Sequence, residues 1–209
     1  MKIILAKSAG FCFGVRRAVE LTEQTAAKVA ESGSAAKVFT FGELIHNRDV
    51  VNRLREAGIA PIESLNEAKC GDYVIIRSHG VPKKIYEELE TRGINFIDAT
   101  CPFVSNIHRI VSAAYERGEQ VFIVGNPEHP ETIGINGHCG NSAIFIRGEE
   151  ELRKLEGRSG CLVVQTTFDS ETFAAMQRVI EREYPRIRVF NSICSTTCLL
   201  YTSDAADDS

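Results

Sequence analysis

Three cysteines, Cys12, Cys101 and Cys194, recur at nearly equal intervals along the 209-residue chain. Each follows a short apolar run and a small or polar turn, as Cys101 does after Ile94–Ile97. Such a run is typical of a buried strand, so each thiol is predicted just past the carboxyl end of a strand. Because ligands of open α/β sheets bind at that edge, this pattern predicts one thiol per structural repeat at a common site.

The repeat extends beyond the cysteines. Cys12 and Cys101 are each followed by an amphipathic helix, a strand ending in a glycine turn, a further strand, a second helix and a last strand. Strands that alternate with helices predict parallel sheets with right-handed crossovers. The predicted helices are 15–31, 82–92, 104–117 and 170–183, and the predicted strands are 2–7, 37–41, 72–76, 94–97, 120–124, 161–164 and 187–190.

These repeats set the predicted domains of an α/β protein built from small parallel-sheet units. Residues 13–100 and 101–193 each form a complete repeat, whereas 1–12 and 194–197 correspond to remnants of a third repeat that is largely missing. Residues 198–209 show neither helix nor strand periodicity and resemble read-through of a cloning adapter. They are therefore left out of the fold prediction as a non-native tail.

Composition narrows the class of protein. A net charge of −4 argues against a nucleic-acid-binding surface. No run of 18 apolar residues is present, and no signal or transit segment precedes Cys12, so we expect a cytoplasmic protein without a membrane span. Seven cysteines, an odd number in a chain that is not secreted, indicate reduced thiols with metal-binding or catalytic uses.

The cysteine spacing also bears on the metal. A Cys-x-x-Cys pair is absent, which argues against a zinc ribbon. A [4Fe–4S] cluster normally takes four thiolates, and three would leave one iron open to substrate. A structural role for the repeated trio is the alternative. The remaining cysteines before the tail, Cys70, Cys139 and Cys161, lack the repeat context and are interpreted as small buried hydrophobes.

Three histidines share a second repeated setting. His46, His79 and His129 each follow a strand end and a glycine or polar turn, and Glu131 comes two residues after His129. Pro82 and Pro130 stand where a first helical turn would begin. Imidazoles beside helix N-termini favour an anion such as phosphate, although any one such histidine alone would be interpreted as a surface or core residue. His108 and His138 lack this setting and are interpreted as structural.

The order of these motifs resembles the LytB family of 4-hydroxy-3-methylbut-2-enyl diphosphate reductases, which act last in the non-mevalonate isoprenoid pathway. The resemblance spans residues 1 to about 197. It implies a trefoil of three α/β domains around a central [4Fe–4S] cluster and a reductive removal of an allylic hydroxyl group. The matching motifs are Gly10–Val15, Gly42–Asn47, Arg77–Val81, Asp98–Pro102, His129–Glu131, Gln165–Thr167 and the turn at Cys194.

The resemblance also implies roles for individual residues. It makes Glu131 the acid that protonates the departing hydroxyl group, with Thr166 in the hydroxyl's hydrogen-bond network. Two electrons must come from outside the chain, because it carries no Gly-x-Gly-x-x-Gly fingerprint of a flavin or nicotinamide site. The resemblance implies a ferredoxin or a flavodoxin as their donor. The implied cluster ligands are Cys12, Cys101 and Cys194, and the implied diphosphate ligands are His46, His79 and His129.

The sequence departs from the family pattern at its C-terminus. A Ser-x-Asn pair and a further serine, which the third domain of the family supplies to the diphosphate, have no match. We therefore expect weak substrate binding and poor turnover from the chain as it stands. A cluster-binding fragment without enzymatic activity, or a redox sensor, is the alternative function. The histidines and Glu131 favour the enzyme, because a sensor needs neither a phosphate site nor a proton donor.

Overall fold

The computed structural model describes residues 10–45 and 47–194. The predicted strand at 2–7, His46 and the tail at 198–209 lie outside the described residues. The chain divides into two compact units, one up to Ser78 together with Gly93–Cys101, the other His79–Arg92 together with the residues from Pro102 onward. The limits predicted for the two repeats, 13–100 and 101–193, stay a prediction.

The first unit contains a four-stranded parallel sheet in the order β2-β1-β3-β4. Its interior comes from alternating apolar positions of the strands and from the apolar stripe of the first helix, with Val19, Leu44 and Ile75 among the buried side chains. The strands are β1 (Val38–Phe41), β2 (Ala60–Ile62), β3 (Tyr73–Ile76) and β4 (Asn95–Asp98), and the helices are α1 (Phe13–Glu31) and α2 (Arg48–Glu56).

The second unit repeats this topology with the sheet order β6-β5-β7-β8, again entirely parallel. Strand β7 is buried along its whole length, as a central strand covered on both faces must be. The strands are β5 (Gln120–Val124), β6 (Ile144–Ile146), β7 (Gly160–Val164) and β8 (Ile187–Phe190), and the helices are α3 (Lys83–Thr91), α4 (Pro102–Glu116), α5 (Pro130–Gly137) and α6 (Ser170–Glu183).

The predicted α/β class with parallel sheets is confirmed, and the long predicted helices and strands are found within two residues of their expected limits. Helix α2 and the strands β2 and β6 were not predicted, and of α5 only the start at Pro130 was. The two strands are only three residues long, too short for a period to be visible. Asn47, whose side chain accepts a hydrogen bond from the backbone of Val50, was the available signal for the start of α2.

No helix within the described part of the chain is long and apolar enough to cross a membrane.

Candidate functional site

A buried carboxyl group lies at the carboxyl edge of the second sheet. Glu131, in the first turn of α5, is only 1% exposed. One of its oxygens accepts a hydrogen bond from the backbone N–H of Thr166 and the other from the Thr166 hydroxyl, both at 2.6 Å. Burial raises the pKa of Glu131, against the lowering effect of these two hydrogen bonds. Burial therefore keeps the proton on Glu131 to a higher pH than on a glutamate in water.

His129 caps the helix that carries this acid. Its Nδ1 accepts a hydrogen bond from the backbone N–H of Glu131 at 3.1 Å, which leaves the ring proton of neutral His129 on Nε2. Pro130 follows at the first helical position, where its missing N–H costs nothing. The cap thus fixes both the orientation of the ring and its tautomer.

His79 lies beside His129. The centroids of the two imidazoles are 5.5 Å apart and their planes meet at 85°. Both side chains are half-buried. The third predicted histidine, His46, lies outside the described residues. The structure thus brings together two of the three imidazoles predicted for an anion site.

Cys194 joins the same edge through the backbone. Its N–H donates to the carbonyl oxygen of Thr166 at 2.9 Å, so the residue that holds Glu131 also holds the cysteine. Next to Thr166, the side chain of Gln165 accepts a hydrogen bond from Asn126. A Cβ on Gly125, the residue after β5, would lie 2.8 Å from the Gln165 side chain, so only glycine fits there. Sequence reasoning did not foresee this contact.

The first unit brings two of the predicted thiols to one helix end. Cys12 is the N-cap residue of α1. Cys101 packs on the first turn of the same helix, because a Cβ on Gly14 would lie 2.7 Å from the Sγ of Cys101. Both cysteines are partly exposed.

Arg17 ties this helix to the loop that carries Cys101. Its guanidinium donates to the carbonyl oxygens of Thr100 at 3.2 Å and Asp98 at 3.3 Å. The N–H of Cys101 donates to the carbonyl oxygen of Ser78 at 2.9 Å, the counterpart of the bond between Cys194 and Thr166. The role of Arg17 was missed at the level of sequence, because an arginine on a helix face resembles any solvated charge.

The remaining cysteines differ from the repeated trio. Cys139 and Cys161 are fully buried, as predicted, and burial raises the pKa of Cys139 and raises that of Cys161 to about 11. The prediction of a buried Cys70 was wrong, since this residue is exposed. Cys70 lies in the turn before β3, and its Sγ would be 3.1 Å from a Cβ on Gly93, so it packs on a glycine at the surface rather than in the core.

Within residues 10–45 and 47–194, no group of three or more His, Cys, Asp or Glu side chains is arranged to hold a metal ion. Cys12 and Cys101 belong to the first unit and Cys194 to the second. The ligand set of three thiols therefore stays a prediction.

The described residues form an α/β protein with parallel sheets, in which imidazoles, a buried carboxyl group and partly exposed thiols follow strand ends. Comparison with known proteins makes this class specific. The chain matches the LytB protein family over residues 3–199.

Two curated relatives illustrate the likeness. A 4-hydroxy-3-methylbut-2-enyl diphosphate reductase of Alkaliphilus oremlandii is 40% identical over 198 residues, covering 94% of this chain and 69% of the relative. The reductase of the same name from Clostridium perfringens is 45% identical over 197 residues, covering 93% of this chain and 68% of the relative. The chain therefore spans somewhat more than two thirds of these relatives.

Solved structures agree with the sequence relatives. A structure of (E)-4-hydroxy-3-methyl-but-2-enyl diphosphate reductase, described as the terminal enzyme of the non-mevalonate pathway, superposes with a TM-score of 0.80 at 40% identity, over 94% of this chain and 69% of that one. The corresponding reductase of Plasmodium falciparum gives 0.82 at 26% identity, over 92% and 60%. The chain belongs to the LytB family of oxidoreductases.

Proposed function

We propose that the chain carries the reductive dehydroxylation of (E)-4-hydroxy-3-methylbut-2-enyl diphosphate to isopentenyl and dimethylallyl diphosphate. The substrate takes up two electrons and two protons, its allylic C–O bond breaks, and the oxygen leaves as water. Membership of the LytB family and the names of the relatives support this reaction. Each requirement of the reaction can be matched to side chains of the chain.

The strongest support for the proposal is a side chain that can supply the proton. A hydroxyl group is a poor leaving group, so a positioned acid must protonate it as the C–O bond breaks. Glu131 is suited to this role because it is buried, is held by two hydrogen bonds, and has a raised pKa. The Thr166 hydroxyl, 2.6 Å from the carboxyl group, can relay a hydrogen bond between that acid and a substrate hydroxyl.

The imidazoles would bind the diphosphate group. His79 and His129 lie with ring centroids 5.5 Å apart, close enough for both to reach oxygens of one diphosphate group. His129 carries its proton on Nε2 in the neutral form, so this nitrogen donates. His46 is assigned to the same anion from the sequence motif alone.

The thiols would hold the group that delivers the electrons. Cys12 and Cys101 fit a thiolate-bound metal group, since both are partly exposed cysteines at one helix start and glycine at position 14 leaves room for the Cys101 sulfur. A [4Fe–4S] cluster held by these two and Cys194 would supply two electrons in succession and a Lewis-acidic iron. The electrons would come from a ferredoxin or flavodoxin.

Cluster binding is tested by anaerobic reconstitution of the 209-residue chain with iron and sulfide. Cys12→Ser, Cys101→Ser and Cys194→Ser should each lose the bound iron, measured by chemical analysis and by the visible absorbance of the cluster. Cys70→Ser is the matched control, because Cys70 is an exposed thiol outside the repeats. Loss of iron in the control with retention in Cys101→Ser would overturn the assignment.

The acid is tested by single-turnover reduction of the diphosphate substrate with a chemically reduced, reconstituted chain. Glu131→Gln should bind substrate and lower the rate about 10²–10⁴-fold, the usual contribution of a positioned acid. A rate close to that of the unchanged chain would remove Glu131 from the mechanism. A chain that binds the cluster but reduces no substrate at all would favour the cluster-binding or redox-sensing alternative.

A further inference from the structure

Two histidines that the proposed reaction does not use stack on one another in the second unit. The rings of His108, in α4, and His138, at the C-terminal end of α5, are nearly parallel, with centroids 4.0 Å apart and an interplanar angle of 19°. His108 is buried, and its Nε2 makes no hydrogen bond within the described residues. Burial, helped by His138, lowers the pKa of His108 to about 3, so its ring is neutral.

His138 contacts the turn that carries His79. Its Nε2 lies 3.1 Å from the carbonyl oxygen of Val81, two residues after His79. A carbonyl oxygen only accepts, so Nε2 of His138 carries a proton and donates. The ring of Tyr86, in α3, meets the His138 ring edge-on with centroids 6.2 Å apart. His138 is thus held on one side by His108 and directed at the turn on the other.

Helix α5 lies against this turn at two glycines. A Cβ on Gly134 would lie 3.5 Å from the carbonyl carbon of Gly80, from the carbonyl oxygen of His79 and from Nε2 of His108. A Cβ on Gly137 would lie 2.3 Å from the Cβ of Pro82, a distance that no side chain tolerates. A side chain at position 134 would therefore make ordinary van der Waals contacts with the turn, whereas the missing side chain at position 137 allows Pro82 to lie directly against the helix.

The residues at the two ends of α5 therefore both contact the turn formed by residues 79–82. His129 begins the helix and meets the His79 ring, whereas His138 follows the last helical residue and holds Val81. Ser112, in α4, donates to the carbonyl oxygen of His138 at 3.2 Å and so fixes the backbone from which the His138 ring extends. A shift of the turn along the helix would change the separation of the His79 and His129 rings.

We propose that His138 is a positioning residue for the diphosphate site, which holds the 79–82 turn on α5 and thereby sets the separation of the His79 and His129 imidazoles. His108 supports it by stacking. This inference rests on the proposed function, in which those two imidazoles bind the diphosphate. It assigns a role in binding to a side chain that itself touches no substrate.

The test measures the affinity of the 209-residue chain for inorganic pyrophosphate by calorimetry. His138→Phe keeps a ring for the stack and removes the donor, and should weaken binding about tenfold, as the loss of one aligned hydrogen bond allows. His138→Gln restores a donor and should recover most of the affinity. Ile133→Ala, on the exposed side of the same helix, is the control and should bind as the unchanged chain does.

Imidazole ¹⁵N–¹H spectra report on the His79 ring itself, whose signals would not change if His138 only stabilised the fold. His138→Phe should shift the His79 signals, and His138→Gln should return them towards their original positions, while circular dichroism shows the same helix content throughout. The inference is overturned if His138→Phe leaves both the pyrophosphate affinity and the His79 signals unchanged.

Measurements on the unchanged chain cover two further cases, a variant that does not fold and a chain that does not bind pyrophosphate. If His138→Phe does not fold, the ¹⁵N shifts of His138 decide, because the neutral ring must carry its proton on Nε2, and a ring protonated only on Nδ1 refutes the contact with Val81. If the unchanged chain binds no pyrophosphate, the diphosphate assignment of the proposed function fails. The positioning role of His138 is then judged by the His79 signals alone.

Discussion

Replacing Glu131 by glutamine should stabilise the fold increasingly as the pH rises. Glutamine has the shape of the protonated acid. Its carbonyl oxygen can still accept from the backbone N–H of Thr166, and its amide can donate to the Thr166 hydroxyl, which rotates to accept. At low pH the two chains should therefore differ by about 1 kcal/mol or less.

The sign follows from the raised pKa of Glu131. In the unfolded chain the carboxyl group titrates at its ordinary value of about 4.3, and in the folded chain it titrates higher. Between these two values the folded chain holds a proton that unfolding releases, so the stability of the unchanged chain falls with pH by at most about 1.4 kcal/mol per unit. Above the folded pKa both states are ionised, and the accumulated difference stays constant.

The assay is urea unfolding followed by far-ultraviolet circular dichroism, from about pH 4 to about pH 9. The free energy of unfolding of Glu131→Gln minus that of the unchanged chain should rise with pH and then reach a plateau. Glu128→Gln, at an exposed neighbouring carboxylate, should show no such rise. A difference that falls with rising pH would mean that the fold favours ionised Glu131, and would refute the assignment of this residue as a protonated acid.

Two further perturbations test other parts of the structure. His108→Phe should remove a pH dependence of stability that has the opposite sign. The pKa of His108 is about 3 in the folded chain and about 6.5 in the unfolded chain, so the stability contributed by neutral His108 is lost as the pH falls from 6.5 towards 3. In urea unfolding this loss should be at most about 1.4 kcal/mol per pH unit. Gly14→Ala adds a Cβ that would lie 2.7 Å from the Cys101 sulfur. The overpacking should lower the free energy of unfolding by about 1–3 kcal/mol, partly offset by the better helix propensity of alanine. The same variant should bind less iron on reconstitution.

The sequence predicted the parts of the fold that depend on local signals. A buried strand needs only a short apolar run and a turn, which is why β4 and β8 were found directly before Cys101 and Cys194. The start of α5 was signalled by Pro130 after a capping residue. Short edge strands such as β2 depend on pairing with a neighbour, and their own three residues carry too little pattern to reveal it.

The candidate site was predictable only as a set of residue types at strand ends. Which groups make contact depends on side chains far apart in the chain, such as Thr166 with Glu131 and His138 with Val81. His138 was interpreted as structural because no local pattern distinguishes a histidine that supports a distant turn from one that fills space. Its hydrogen-bond partner is fixed by the packing of α5 on the 79–82 turn, which the glycine at position 137 permits.

The two repeats hold a cysteine in the same way and differ in what surrounds it. In each, the cysteine N–H donates at 2.9 Å to the second residue after the third strand of the repeat, Ser78 for Cys101 and Thr166 for Cys194. The hydroxyl of that residue then finds a different partner.

The Ser78 hydroxyl donates to a backbone carbonyl, that of Leu44, which cannot take up or release a proton under ordinary conditions. The Thr166 hydroxyl donates to the carboxyl group of Glu131, which can. The two repeats therefore hold Cys101 and Cys194 in the same way, whereas the hydroxyl group has a carboxyl partner in the second repeat and a backbone carbonyl in the first. In the proposed reaction, the proton accordingly comes from the second repeat.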